Sequence, residues 1–313
     1  METLLPAASI WQSGPVAAGA AAVVGGLTVG LLVACRGALR GSTLIAPYRW
    51  TLAAFAALTL VEVAIGLAGA DPARFWVAAL RYAAAATTFC PLMALLGAKR
   101  PQDRGWQWIV ATLWVVLVLP AAESLVLGRG GLDVRDFRAW FLGVLLLVGL
   151  ANALPGRFWP SALLLLGAQV VLLWGHLPGT GRPLGTLGGL LGLTLAAVAA
   201  ALVACGKPGR RKAGTCEDRL WLDFRDAFGT VWALRVAEQV NAAATRYRWG
   251  VSLRWHGFRW TEDGSADIPP GTVDPRVRLD LRRSLQSILR RFVSSAWIAE
   301  RWPAADEPAQ PRA

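Results

Sequence analysis

Apolar positions along this chain come in long blocks rather than at amphipathic spacing. Between about residues 15 and 205 the blocks fall at 16–34, 50–69, 75–96, 106–127, 140–154, 159–174 and 184–205. Most approach the ~20 residues that a helix needs to cross a bilayer. Brief polar stretches separate them, so successive blocks are expected to be antiparallel neighbours. The pattern predicts an all-α polytopic membrane bundle over 1–205 with about seven spans. The blocks at 140–154 and 159–174 are short, and a re-entrant pair is the alternative reading for them. Pro120 is expected to kink or locally open the fourth span.

The pattern changes after Cys205. A small, mainly helical cytosolic module is expected over 206–303, followed by a disordered tail at 304–313. Residues 217–247 carry Leu220, Phe224, Phe228, Val231, Leu234 and Val240 near helical spacing, which predicts one helix. From Arg248 to Trp255 the large apolar residues alternate, which predicts a short extended segment with one tryptophan-rich face. Asp274-Pro275 reads as an N-cap and first helical position. The helix they open is expected to reach about Trp302. Leu281, Leu285, Ile288, Phe292 and Ala296 fall on one face of it, and Arg276, Arg283, Arg290 and Arg301 lie almost opposite. That basic amphipathic pattern is either a solvated arginine face or a contact for anionic lipid or a protein partner.

Orientation follows from the placement of Lys and Arg. With the N-terminus outside, the inner loops and the start of the tail hold eleven basic residues and the outer loops five. The expectation is an inner-membrane, multi-pass protein with its N-terminus out and its C-terminus in the cytosol. Trp50, Trp106, Trp108 and Trp159 then mark the inner interface, and Trp76, Trp140 and Trp174 the outer one. Lys207–Lys212 is a basic juxtamembrane segment suited to fixing topology. Small residues four apart make Gly26-x-x-x-Gly30, and the run Gly185, Gly188, Gly189 and Gly192, candidates for close helix packing. A Gly- and Ala-rich composition also produces such spacings by accident.

Polar residues inside spans are the candidate site. Glu62 and Arg81 each lie nine residues from the turn at Asp71-Pro72, at one depth on neighbouring spans, ~13 Å below the turn. Three readings are open: a structural ion pair, a snorkelling Arg81 with Glu62 protonated, or part of a polar pocket open to the outside. Glu123, Gln169 and His176 also lie toward the outer half and are the further candidates for that pocket. Asn152, near the inner end of its span, is the exception.

Composition narrows the classes. The chain has 313 residues, 55% of them hydrophobic, and a net charge of +12. Lysine supplies only three of the 32 basic residues, and many arginines sit at span ends, so no nucleic-acid partner is expected. Cys35, Cys90, Cys205 and Cys216 lack the short spacings of a metal or redox site, and only His176 and His256 could join them. No metal, no cofactor and no catalytic residue is expected. The leading expectation is a non-enzymatic receptor, anchor or assembly factor with a cytosolic interaction module. The lipid bilayer is its environment, and a homo-oligomer is open. The alternative is a small-solute or ion permease that uses the outer-half polar residues. A membrane enzyme on a lipid-linked substrate, with Glu123 and His176 as acid and base, comes third.

Overall fold

A computed structural model describes residues 14–71, 74–127, 132, 134, 137–182, 184–205, 215–262, 266–267 and 273–302. The Lys207–Lys212 segment, the Glu262–Ser265 turn (beyond Glu262), the 268–271 loop and the 304–313 tail lie outside the described residues. The chain forms two compact units. The first comprises residues 1–37, 46–97 and 103–206, and the second residues 38–45, 98–102 and 207–313.

The first unit is a helical bundle. Its helices are α1 (Gly14–Ala34), α2 (Ile45–Leu67), α3 (Phe75–Thr87), α4 (Cys90–Leu96), α5 (Asp103–Leu127), α6 (Phe137–Ala153), α7 (Trp159–Leu172) and α8 (Gly185–Cys205). Among the described residues, five stretches are long and apolar enough to cross a membrane, counting α3 and α4 as one; α6 and α7 are shorter. The chain is thus mainly helical, with several helices fit by length and composition to span a membrane. Helix α5 runs unbroken through Pro120. Leucines and tryptophans such as Trp108, Trp140 and Leu187 stay exposed, as expected of faces turned to lipid.

The bundle core is built from small residues. Ala17, Ala18, Ala21, Gly25 and Thr28 form the buried stripe of α1. Gly14 and Gly66 bring α1 and α2 so close that a Cβ on either would strike the other's carbonyl oxygen. Gly25 is likewise pressed against Thr59. At Gly26 and Gly30, the pair singled out by spacing, a Cβ would meet nothing within 4 Å among the described residues. The packing face lies one residue earlier, because Ala17, Ala21, Gly25 and Thr28 set the phase of the helix. In α8, Gly188, Gly189 and Gly192 do sit in close contacts, the last against Leu172 of α7.

The expected span over 75–96 is one membrane-length stretch, but its helix is interrupted. Pro91 has no N–H to donate to the carbonyl of Thr87, so the helix stops and restarts. Thr88 and Phe89 donate instead to Ala85 and Ala86, three residues back. Thr87 and Thr88 turn their hydroxyls onto Ala83 and Ala85. Across the break, Trp106 packs its ring on Gly97 and donates Nε1 to the carbonyl of Met93 at 2.7 Å.

The second unit holds α9 (Cys216–Tyr247), a three-stranded antiparallel sheet of β1 (Val251–Arg254), β2 (Gly257–Glu262) and β3 (Ala266–Asp267), then α10 (Pro275–Leu289) and α11 (Ser295–Arg301). Thr215 caps α9, and its hydroxyl accepts from the N–H of Asp218. The expected single helix is interrupted at Gly229, whose φ of 76° leaves helical space. Val251 pairs with Trp260 and Leu253 with Phe258 across the hairpin. Asn241 serves Leu253 as a further partner, donating to its carbonyl at 3.0 Å and accepting its N–H at 2.6 Å. Phe224, Phe228, Trp232 and Phe292 form one aromatic core with centroid separations of 4.7–5.4 Å.

The last expected helix also divides. Asp274 caps α10 by accepting from Arg276 N–H, but residues 291–294 leave the helix. Their backbone bonds to two distant loops. Thr43 donates to Phe292 at 2.9 Å, Arg100 to Arg291 at 2.8 Å, and Ser294 to Gly41 at 2.6 Å. Tertiary hydrogen bonds here replace helical ones, and Ser294 then caps α11. The arginine row is altered accordingly. Arg276, Arg283 and Arg290 are exposed. Arg301 is not a free surface cation, because it binds Asp223 at 2.9 Å and lies 3.8 Å from the centroid of Trp297.

Candidate functional site

In the bundle, Arg81 and Glu62 form a two-pronged ion pair. Arg81 Nε donates to Glu62 Oε1 and Nη2 to Oε2, both at 2.8 Å. The side chains are 14% and 5% exposed. Nη2 also donates to the hydroxyl of Thr186 at 3.0 Å. The cluster therefore ties α2, α3 and α8 together. Gly189 makes room for it, since a Cβ there would overlap the Glu62 carboxyl group.

The pair lines a cavity of about 420 Å³. Tyr82, His176 and Arg182 share the lining, with apolar walls from residues such as Leu58, Val61 and Val171. Of its polar members, Glu62 and Tyr82 are buried, whereas Arg182 is exposed together with Trp174 and Leu184. The His176 ring meets Tyr82 edge-on at 5.2 Å. Burial pulls the His176 imidazole down to about 4, so it is neutral at pH 7. Among the described residues, Arg81 Nη1 and the Arg182 guanidinium have no hydrogen-bond partner. With Glu62 opposing Arg81, the lining carries one net positive charge.

Three of the five intramembrane candidates, Glu62, Arg81 and His176, thus meet around one cavity. Glu123 and Gln169 do not line it. Glu123 accepts from Arg138 at 3.2 and 3.4 Å, with both side chains more than a third exposed. Gln169 donates to the carbonyl and hydroxyl of Thr88 at 3.3 and 3.1 Å, which places it on the break between α3 and α4. Sequence reading missed Tyr82, Thr186 and Arg182. Only Arg182 carried a signal, and a loop arginine is read first as a topology marker.

In the second unit carboxylates of α9 are engaged by arginines. Asp226 binds Arg225 at 2.7 Å, and Asp223 binds Arg301. Arg225 also donates to the carbonyl of Trp255 at 2.7 Å. Glu217, 1% exposed, binds Arg278 at 2.6 Å. No group of three or more His, Cys, Asp or Glu suited to a metal occurs among the described residues. Compared with family models, curated proteins and solved structures, the chain matches none.

Proposed function

We propose that this is a non-enzymatic membrane receptor whose bundle cavity takes a small amphipathic anion. Convergence carries the reading. An apolar-walled cavity of about 420 Å³ presents Arg182 and the remaining donor of Arg81. Small-ligand sites typically combine such walls with a few placed polar groups. The neutral His176 adds a donor or acceptor without adding charge.

In this proposal all seven apolar segments cross, with α6 and α7 as a short pair. Residues 38–45, 98–102 and the C-terminal region belong to one unit. Chain connectivity then puts both loops and the module on one side of the membrane. The excess of Lys and Arg makes that side the cytosol and puts the N-terminus outside. The module is the partner-binding element.

The test is a thermal-shift series on the full chain in mild detergent, with alkyl carboxylates and alkyl trimethylammonium ions of equal chain length. Carboxylates are expected to protect, and Arg182→Glu to reverse the preference. Equal protection by both head groups, unchanged in the variant, would defeat the proposal. The same cavity gives the permease reading its one supporting observation. Carboxylate flux in proteoliposomes that is lost in Arg182→Glu would favour that reading over a receptor.

A further inference from the structure

The second unit holds a separate concavity of about 290 Å³, whose wall includes Lys99, Arg235, Glu238 and Arg291 with Trp232 and Phe292. Its cations come from three stretches of chain: a loop, α9 and the turn after α10. Elsewhere in this unit several arginines are matched with acids, as in Arg278 with Glu217 and Arg301 with Asp223. Here Lys99, Arg235 and Arg291 make no ion pair among the described residues, with Glu238 or any other acid. Arg235 lies 5.2 Å from the centroid of the buried Trp232, which holds its guanidinium in place. Counting Glu238, the wall carries a net charge of +2. Three like charges gathered on one concave wall repel one another unless an anion joins them.

Position decides which anion. Lys99 follows Leu96, the last residue of α4 and of a candidate membrane crossing, by three residues. Three extended residues reach at most ~10 Å. The headgroup layer extends roughly 5–8 Å beyond the hydrocarbon on each side. The backbone bond from Arg100 to Arg291, at 2.8 Å, holds Arg291 beside the same loop. We infer that Lys99, Arg235 and Arg291 form a binding site for the phosphate of an anionic phospholipid in the adjoining leaflet. The site is separate from the bundle cavity and does not depend on the receptor reading.

The experiment uses the full chain, first in phosphatidylcholine nanodiscs with and without phosphatidylglycerol. Anionic-lipid retention is then read by native mass spectrometry and thermal protection. Removing a cation near an anionic surface weakens binding about fivefold per charge. The double variant Arg235→Gln/Arg291→Gln is therefore expected to lose at least tenfold in affinity for phosphatidylglycerol. Arg235→Lys/Arg291→Lys should recover most of it, which separates charge from folding. Arg246→Gln/Arg254→Gln removes the same charge from exposed arginines elsewhere in the unit and should change little. Equal losses in that control would mean diffuse attraction and overturn the site. Wild-type retention in the Arg235/Arg291 glutamine variant would do the same. In detergent, inorganic phosphate or glycerol phosphate that protects as well as the lipid would reassign the site to a soluble ligand.

Discussion

Glutamine substitutions at Glu62 and Arg81 give a sharp test of how the bundle is held. In Glu62→Gln, Arg81 keeps its bond to Thr186 but loses the carboxylate that accepts two of its donors. At 14% exposure there is little solvent to replace it. Removing one partner of a buried pair costs about 3–5 kcal/mol, and we take ~3 kcal/mol for this single change because Thr186 remains. Arg81→Gln strands a carboxylate that is 5% exposed and also deletes the Thr186 bond, so it belongs at the upper end, ~5 kcal/mol. The double variant replaces two charges with two amides that can bond to each other, and ~1–2 kcal/mol is expected. The coupling between the sites is then ~6 kcal/mol or more, large against the ~5–15 kcal/mol that stabilises a typical fold. Equilibrium unfolding by SDS titration in mild detergent, followed by tryptophan fluorescence, measures all four corners of the cycle. Additive losses, or single variants as stable as wild type, would refute the argument that burial makes the pair mutually dependent.

Gly189→Ala should reproduce much of the Glu62 phenotype, since the new methyl displaces the carboxylate; unchanged stability in the same titration would contradict the close approach. Gly229→Ala should destabilise the second unit by about 1–2 kcal/mol because its φ of 76° disfavours a side chain, a loss readable by thermal unfolding of the full chain. Gln169→Leu should cost ~1–2 kcal/mol and speed hydrogen exchange around Thr88, the carbonyl it serves. His176 is held near 4 in the fold against the ordinary 6.5. The unfolded chain therefore binds the proton first as pH falls, so stability should drop between pH 6.5 and 4. His176→Phe should flatten that part of the pH–stability curve.

Hydropathy made the bundle legible, because blocks of twenty apolar residues have few other uses. It did not show how the blocks pack. The Gly26/Gly30 spacing and the Gly14, Gly66 and Gly25 contacts look alike in sequence, and only the rotational phase of α1 separates them. Glu62 and Arg81 were legible as a pair because depth along two helices can be counted. Their cavity was not, since Tyr82 and Arg182 join it through bundle geometry rather than spacing. Two breaks left readable traces: Cys90-Pro91 in the third span and Gly229 in α9. The break at 291–294 left little, because its cause is hydrogen bonding to residues some 190–250 positions earlier.

That last dependence bears on how the protein is made. The loops at 38–45 and 98–102 leave the ribosome long before Phe292 and Ser294 exist. At ~5–20 residues per second, roughly 12–50 s separate the synthesis of Thr43 from that of its partner Phe292. During that interval the bundle can insert, but its two loops carry backbone groups reserved for a segment not yet translated. A chain ending early would keep those groups open to chaperones and proteases. The closing turn is therefore a late seal: its bonds to both loops form only once residues 291–294 have been made.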